Sequence, residues 1–208
     1  MDAALGLART AVLGGSFNPI HDGHLVLADD VADLLDLDRV LFVPAARPPH
    51  KPNADLAPAQ DRYAMVELAI AGQPKFAVSD VEFRRPGPSY TVDTLEALRI
   101  PRDELFLIVG SETFLDLLSW RSPRRVAELA QLAVVPRVGS AFDLESAAVR
   151  KVVHEIGHEP VVVRASSLPI SASDLRRRVR EGRSIAYRLP EAVGAYIRDR
   201  RLYHAGAS

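Results

Sequence analysis

Residues Gly14 to Leu25, GGSFNPIHDGHL, crowd glycines, a hydroxyl, an amide, a proline and two histidines into one corner of the chain. The corner follows an apolar run, TAVLGG, and precedes a helical pattern. Glycines at such a turn let backbone N–H groups and a helix N-terminus approach a phosphate. Neither familiar Gly-rich fingerprint is present: no G-x-G-x-x-G follows the run and no G-x-x-x-x-G-K-[ST] occurs anywhere. Instead His21 and His24 stand three apart on the first turn of a helix, so both imidazoles can face a single ligand. Gly23 keeps bulk from between them, Pro19 sets the approach to the helix, and Ser16 offers a hydroxyl. The chemistry these types suit is phosphate binding, with Gly14, Gly15, Ser16, His21 and His24 as the groups that meet it.

Three other stretches carry reactive side chains. ISASDLRRR admits two readings: Ser171 and Asp174 have capping-box spacing with arginines along a solvated face, or the helix start binds a phosphate chain. In the second reading Ser171, Ser173 and Arg176 are the donors, and the two uses coexist if Ser173 or the backbone takes the ligand. The Pro-rich AARPPHKPNADLAP holds His50 and Lys51, either in an exposed turn or as donors reaching over a site. HEIGH, His154 to His158, matches the zinc-protease signature H-E-x-x-H. That motif works only on a continuous helix, and Gly157 and Pro160 predict that the helix ends there, so no metal-ligating residues are expected.

The elements that must position these groups read as alternating strands and helices. TAVLGG, RVLFVP, FAVSDVEF, ELFLIVG, QLAVVP and PVVVRA are short and continuously apolar, as strands buried on both faces of a parallel sheet are. Leu25, Ala28, Val31, Ala32 and Leu35 recur at helical spacing, and a second helix should start near Pro58 and carry Tyr63, Val66 and Ile70. The fold class expected is α/β, a doubly wound parallel sheet, in one domain over residues 1–208. The stretch from about 165 to 203 should be its helical C-terminal part, with Pro190 at a helix start. The 26 Lys and Arg nearly balance 27 Asp and Glu, which argues against a nonspecific nucleic-acid partner. There is no cysteine, hence no disulfide and no thiolate chemistry. No apolar run reaches the roughly 18–20 residues of a membrane span, and MDAALGLART lacks a basic stretch ahead of an apolar core. A cytoplasmic protein with no membrane partner is expected; a homo-oligomer is left open.

The H-x-G-H motif after G-G-S-F-N-P resembles the nucleotidyltransferase superfamily of adenylyltransferases and class I aminoacyl-tRNA synthetases, although no K-M-S-K-S segment is present. PPHK (Pro48 to Lys51), SYTVDTL (Ser89 to Leu95), ISASDLR (Ile170 to Arg176) and LPEAVGAYI (Leu189 to Ile197) narrow the resemblance to the bacterial nicotinate-nucleotide adenylyltransferases. The five motifs stand in that family's order and span nearly the whole chain.

The resemblance implies a Rossmann-like fold and transfer of an adenylyl group from ATP to nicotinate mononucleotide, giving nicotinate adenine dinucleotide and pyrophosphate. It assigns His21, His24, Ser16 and Arg176 to catalysis, and Gly14, Gly15, Ser171 and Ser173 with them to ATP. Lys51, His50, Tyr90, Thr91, Glu112, Trp120 and Arg137 would then meet the mononucleotide, with Trp120 stacking on its pyridine ring. Mg²⁺ would be bound mainly through ATP. Glu112 stands where the family more often has Asp, while Ser16 and Asn18 replace frequent Thr and Asp, so Asn18 is given no catalytic role. The alternatives are a relative of the same superfamily acting on nicotinamide mononucleotide or phosphopantetheine, and a non-catalytic nucleotide-binding module. The phosphopantetheine enzymes usually carry Thr in place of the first motif histidine, whereas His21 is present.

Overall fold

The six apolar runs become six parallel strands: β1 Thr10–Gly15, β2 Arg39–Pro44, β3 Phe76–Val78, β4 Leu105–Gly110, β5 Gln131–Val135 and β6 Val161–Val162. The computed structural model describes residues 8–49, 56–136 and 142–204. The strand order is β3-β2-β1-β4-β5-β6, so the winding reverses between β1 and β4. Side chains of each inner strand alternate between two apolar layers. Ala11, Leu13, Val40, Phe42, Phe106 and Ile108 face one layer, while Val12, Leu41, Val43, Leu107 and Val109 face the other.

Eight helices lie over the two layers among the described residues: α1 Asp22–Leu34, α2 Ala59–Ile70, α3 Thr91–Leu98, α4 Ser111–Leu115, α5 Pro123–Leu129, α6 Ala147–Ile156, α7 Ala172–Arg180 and α8 Glu191–Asp199. The first layer is covered by α1, α2, α7 and α8 through Val31, Met65, Leu175 and Val193. The second is covered by α3 to α6 through Leu95, Phe114, Val126 and Val152. None of the described helices is long and apolar enough to cross a membrane.

Pairing between β1 and β4 runs only from Thr10↔Leu105 to Val12↔Leu107, whereas β1–β2 pairing continues to Gly15↔Pro44 and β4–β5 pairing to Gly110↔Val135. The last residues of β1 and β4 therefore diverge, and a crevice opens where open α/β sheets bind ligands.

Three expectations need correction. FAVSDVEF is a strand only to Val78; beyond the Ser79 N–H, which bonds the Phe42 carbonyl, the edge chain leaves the sheet in a turn over Asp80–Arg84. The core face of α2 is Asp61, Arg62, Met65, Val66 and Ile70, while Tyr63 lies to the side against Phe83 at 5.4 Å. The C-terminal part is helical only in α7 and α8, with an extended strap before α7 whose Ser166 N–H bonds Asp30 on α1.

The strap and the last helix are fastened by polar contacts rather than by length. Asp61, 4% exposed, accepts the Tyr196 hydroxyl at 2.8 Å and the Arg200 Nη2 at 3.0 Å, which ties α8 to α2. Tyr196→Phe should lower folding stability by about 1 kcal/mol, the net worth of one such bond. Chemical unfolding would read this as an earlier midpoint with an unchanged slope.

Candidate functional site

β1 ends at the crevice, and the chain turns into α1 within six residues. Gly14 points at open space: a Cβ there would meet nothing within 4 Å. At Gly15 the missing Cβ leaves room for the Phe17 ring, 3.4 Å from where it would stand. Phe17 adopts left-handed backbone, φ 43°, and its ring is buried beneath the turn. The Asn18–Pro19 bond is cis. Asn18 binds this turn to the rest of the fold: its Oδ1 accepts the Ala57 N–H at 3.0 Å and the Tyr203 hydroxyl at 2.8 Å. Its main-chain oxygen accepts Arg176 Nη1 at 2.9 Å, so α7 is held against the β1–α1 corner.

The two histidines do share one face. Their rings stack with centroids 3.7 Å apart and 29° between planes, and the edge of Phe17 supports His24 at 5.2 Å. His21 caps α1, and its N–H donates to His24 Nδ1 at 3.2 Å. An accepting Nδ1 puts the proton of a neutral His24 on Nε2, which is then a donor. His21 is 6% exposed, and burial pulls its imidazole from the ordinary 6.5 down to about 4. Two stacked imidazolium cations would repel, so the resting pair is at most singly charged near neutrality.

Gly23 is required by His21 itself. A Cβ at position 23 would lie 3.1 Å from His21 Nδ1 and 3.2 Å from its Cε1, with the Leu168 carbonyl closing the other side at 3.6 Å.

On α7, Ser171 is the N-cap and accepts the Asp174 N–H at 3.2 Å, so the capping reading holds for that residue. Ser173 Oγ lies 3.2 Å from Ser171 Oγ at the exposed helix start. His50, Lys51 and Arg137 lie outside the described residues.

Across the crevice lies a cavity of about 220 Å³, with Val12, Leu13 and Gly14 of β1 and Leu107 to Gly110 of β4 along it. Thr91, Thr94, Thr113, Glu82 and Trp120 supply its polar and aromatic wall. Thr91 and Trp120 thus line one space. Tyr90 packs against the same apolar cluster as Trp120, with the Arg121 guanidinium 4.8 Å over its ring. Glu112 is exposed in the first turn of α4. Glu82, Thr94 and Thr113 were not anticipated. Glu82 accepts the Thr94 hydroxyl at 2.7 Å, a placement that follows from the turn that replaces the end of the expected third strand.

The HEIGH stretch forms no ligand pair. α6 stops at Ile156, Gly157 is left-handed at φ 77°, and His158 Nδ1 sits 3.4 Å from Arg102 on another segment.

Two outcomes are expected. Gly23→Ala should displace the His21 ring by a few tenths of an ångström and cost roughly tenfold in turnover of the ligand bound here, with a small loss of stability. Histidine titration by NMR should find His21 protonating near 4. The unfolded chain binds a proton that the folded ring refuses, so stability should rise with pH from about 4 to 6.5.

A sequence profile of the cytidylyltransferase-like family matches residues 12–178. The chain is 44% identical over 212 residues to the probable nicotinate-nucleotide adenylyltransferase of Geotalea uraniireducens, covering 94% of this chain and 98% of that one. It is 48% identical over 200 residues to the corresponding Thermus thermophilus protein, covering 94% and 99%. The fold is shared with Plasmodium falciparum nicotinic acid mononucleotide adenylyltransferase in its complex with NaAD, at a TM-score of 0.74 and 18% identity over 95% of this chain and 98% of that one. With this profile, these relatives and this crevice, the chain belongs to the cytidylyltransferase-like family, in its nicotinate-nucleotide adenylyltransferase branch.

Proposed function

We propose that the protein transfers the adenylyl group of ATP to nicotinate mononucleotide, releasing pyrophosphate and forming nicotinate adenine dinucleotide. The observation that carries this reading is the two-sided crevice. A turn rich in glycine and imidazole faces one side, and a cavity walled by Trp120 and Thr91 faces the other.

The mononucleotide phosphate is the attacking group. With a second pKa near ~6 it is largely ionised at neutral pH, so no side chain has to take a proton from it. One of its oxygens bonds to the α-phosphorus of ATP while the bond from that phosphorus to the bridging oxygen breaks, and pyrophosphate carries away the electron pair. Catalysis is then positioning and charge stabilisation. A neutral His21 suits this task because it enters the site without a competing positive charge to desolvate. Bound phosphate would favour its protonated form as negative charge shifts toward the leaving group. In our reading His24 Nε2, Ser16, Ser173 and Arg176 complete the phosphate side. Trp120 takes the pyridine ring, and main-chain N–H groups at Thr91 favour a carboxylate over an amide.

Among the described residues no group of three His, Asp or Glu side chains converges as a metal cage. Mg²⁺ would be held mainly through the phosphate oxygens of ATP and water, and would neutralise phosphate charge there.

Pyrophosphate release should be measured with ATP and Mg²⁺ while each mononucleotide is offered in turn. Release with nicotinate mononucleotide, above that with the nicotinamide form, is expected; no release with either overturns the assignment. His24→Ala should lose at least ~100-fold in kcat with mononucleotide KM little changed, the scale of one preorganised donor. Trp120→Ala should do the reverse and raise mononucleotide KM roughly tenfold, as expected for a lost stacking partner.

A further inference from the structure

Arg62, on α2, is 1% exposed, yet the four groups it holds are neutral main-chain oxygens. Nη1 donates to Ser16 at 2.8 Å and to Ala45 at 2.7 Å. Nη2 donates to Ala46 at 3.4 Å and Nε to Ala57 at 3.0 Å. Glu82 attracts it only at longer range. A buried charge is costly unless hydrogen bonded, and a leucine or methionine could fill the same space. What an apolar side chain could not do is join three separate segments. These are the turn after β1, the residues following β2, and the segment entering α2. The fixed planar fork of a guanidinium can satisfy all of them at once, whereas the single nitrogen of a lysine cannot.

The direction of the Ser16 carbonyl has a consequence for the crevice. In a trans peptide the carbonyl and the following N–H point opposite ways. With the Ser16 oxygen drawn onto buried Arg62, the Phe17 N–H is turned away from the core. The Gly15 carbonyl accepts the Ala45 N–H at 2.8 Å on the β2 side, so the Ser16 N–H points toward the β4 side, where the crevice opens. Phe17, at φ 43°, bends the chain as anion-binding backbone turns do.

We propose that Arg62 is a positioning residue for nucleotide binding: by holding the Ser16 carbonyl inward it aims the Ser16 and Phe17 amides at the phosphate chain of ATP. The same fork joins Ala45 and Ala46 to Ala57, closing the base of the Pro-rich segment beside that turn. This role rests on the adenylyltransferase reading above.

Arg62→Lys keeps the charge and Arg62→Gln keeps a polar group, but neither can span the four carbonyls. Both should be compared with the unmodified protein at a temperature where circular dichroism shows all three folded. The expected result is a fall of at least ~10-fold in kcat/KM for ATP and in calorimetric affinity for a non-hydrolysable ATP analogue, nearly alike in the two variants. A role confined to stability would leave both quantities native in the folded protein, and native values in Arg62→Lys overturn the proposal. Should the variants not fold, amide exchange in the unmodified protein decides. The Ser16 and Phe17 amides should gain protection when the analogue binds, and binding without that protection refutes the role. A protein that binds the analogue but releases no pyrophosphate with either mononucleotide instead contradicts the activity assigned above.

Discussion

The parting of β1 from β4 after Val12 and Leu107 is the constraint on which the rest of the site depends. Two central strands of a parallel sheet normally hold each other to their ends. Here each stays paired with its outer neighbour, β1 through Gly15 and β4 through Gly110, and the inner seam opens. The opening coincides with the reversal of winding, so the helices after β1 and β4 leave toward opposite layers of the molecule. A crevice so placed has one wall from each half of the fold. That asymmetry suits a reaction between two unlike substrates better than it suits a single ligand.

Of the described phosphate-side groups, the His21 imidazole carries no charge at rest, because burial pulls its pKa down to about 4. His21 is buried and neutral against His24, and Arg176 has one nitrogen on the Asn18 carbonyl. Neutral donors that become more favourable as negative charge develops discriminate between ground and transition states. The missing side chain at position 23 is what admits the His21 ring: a Cβ there would stand 3.1 Å from His21 Nδ1.

Much of the fold was legible because strands covered on both faces need long apolar stretches, which the runs of the inner strands β1, β2, β4 and β5 show. The helical face of α1 was equally plain, as was the crowding of GGSFNPIHDGHL. What escaped depends on contacts between distant segments. Asn18 looks like a residue that has lost a charge, yet its two oxygens join Ala57, Tyr203 and Arg176. Arg62, in DRYAMVELAI, was not among the residues singled out from the sequence. Its spacing from Met65, Val66 and Ile70, at three, four and eight residues, was the available sign that it lay on the core face. Glu82 was hidden by an apolar run that resembled a longer strand. An edge strand has nothing to pair with on its outer side, and here it turns into the crevice instead. Thr94, one helical turn on from Thr91, joins it along the cavity, which the SYTVDTL motif alone did not reveal.

The central claim is that the two halves of the crevice hold two different substrates in line. A crystal structure with a non-hydrolysable ATP analogue and nicotinate mononucleotide tests it most directly. The triphosphate is expected along Gly14 to His24 and the start of α7, the pyridine ring against Trp120, and the mononucleotide phosphate facing the α-phosphorus opposite the departing pyrophosphate. A triphosphate lying in the Trp120 cavity, or a mononucleotide seated on the histidine pair, would contradict it.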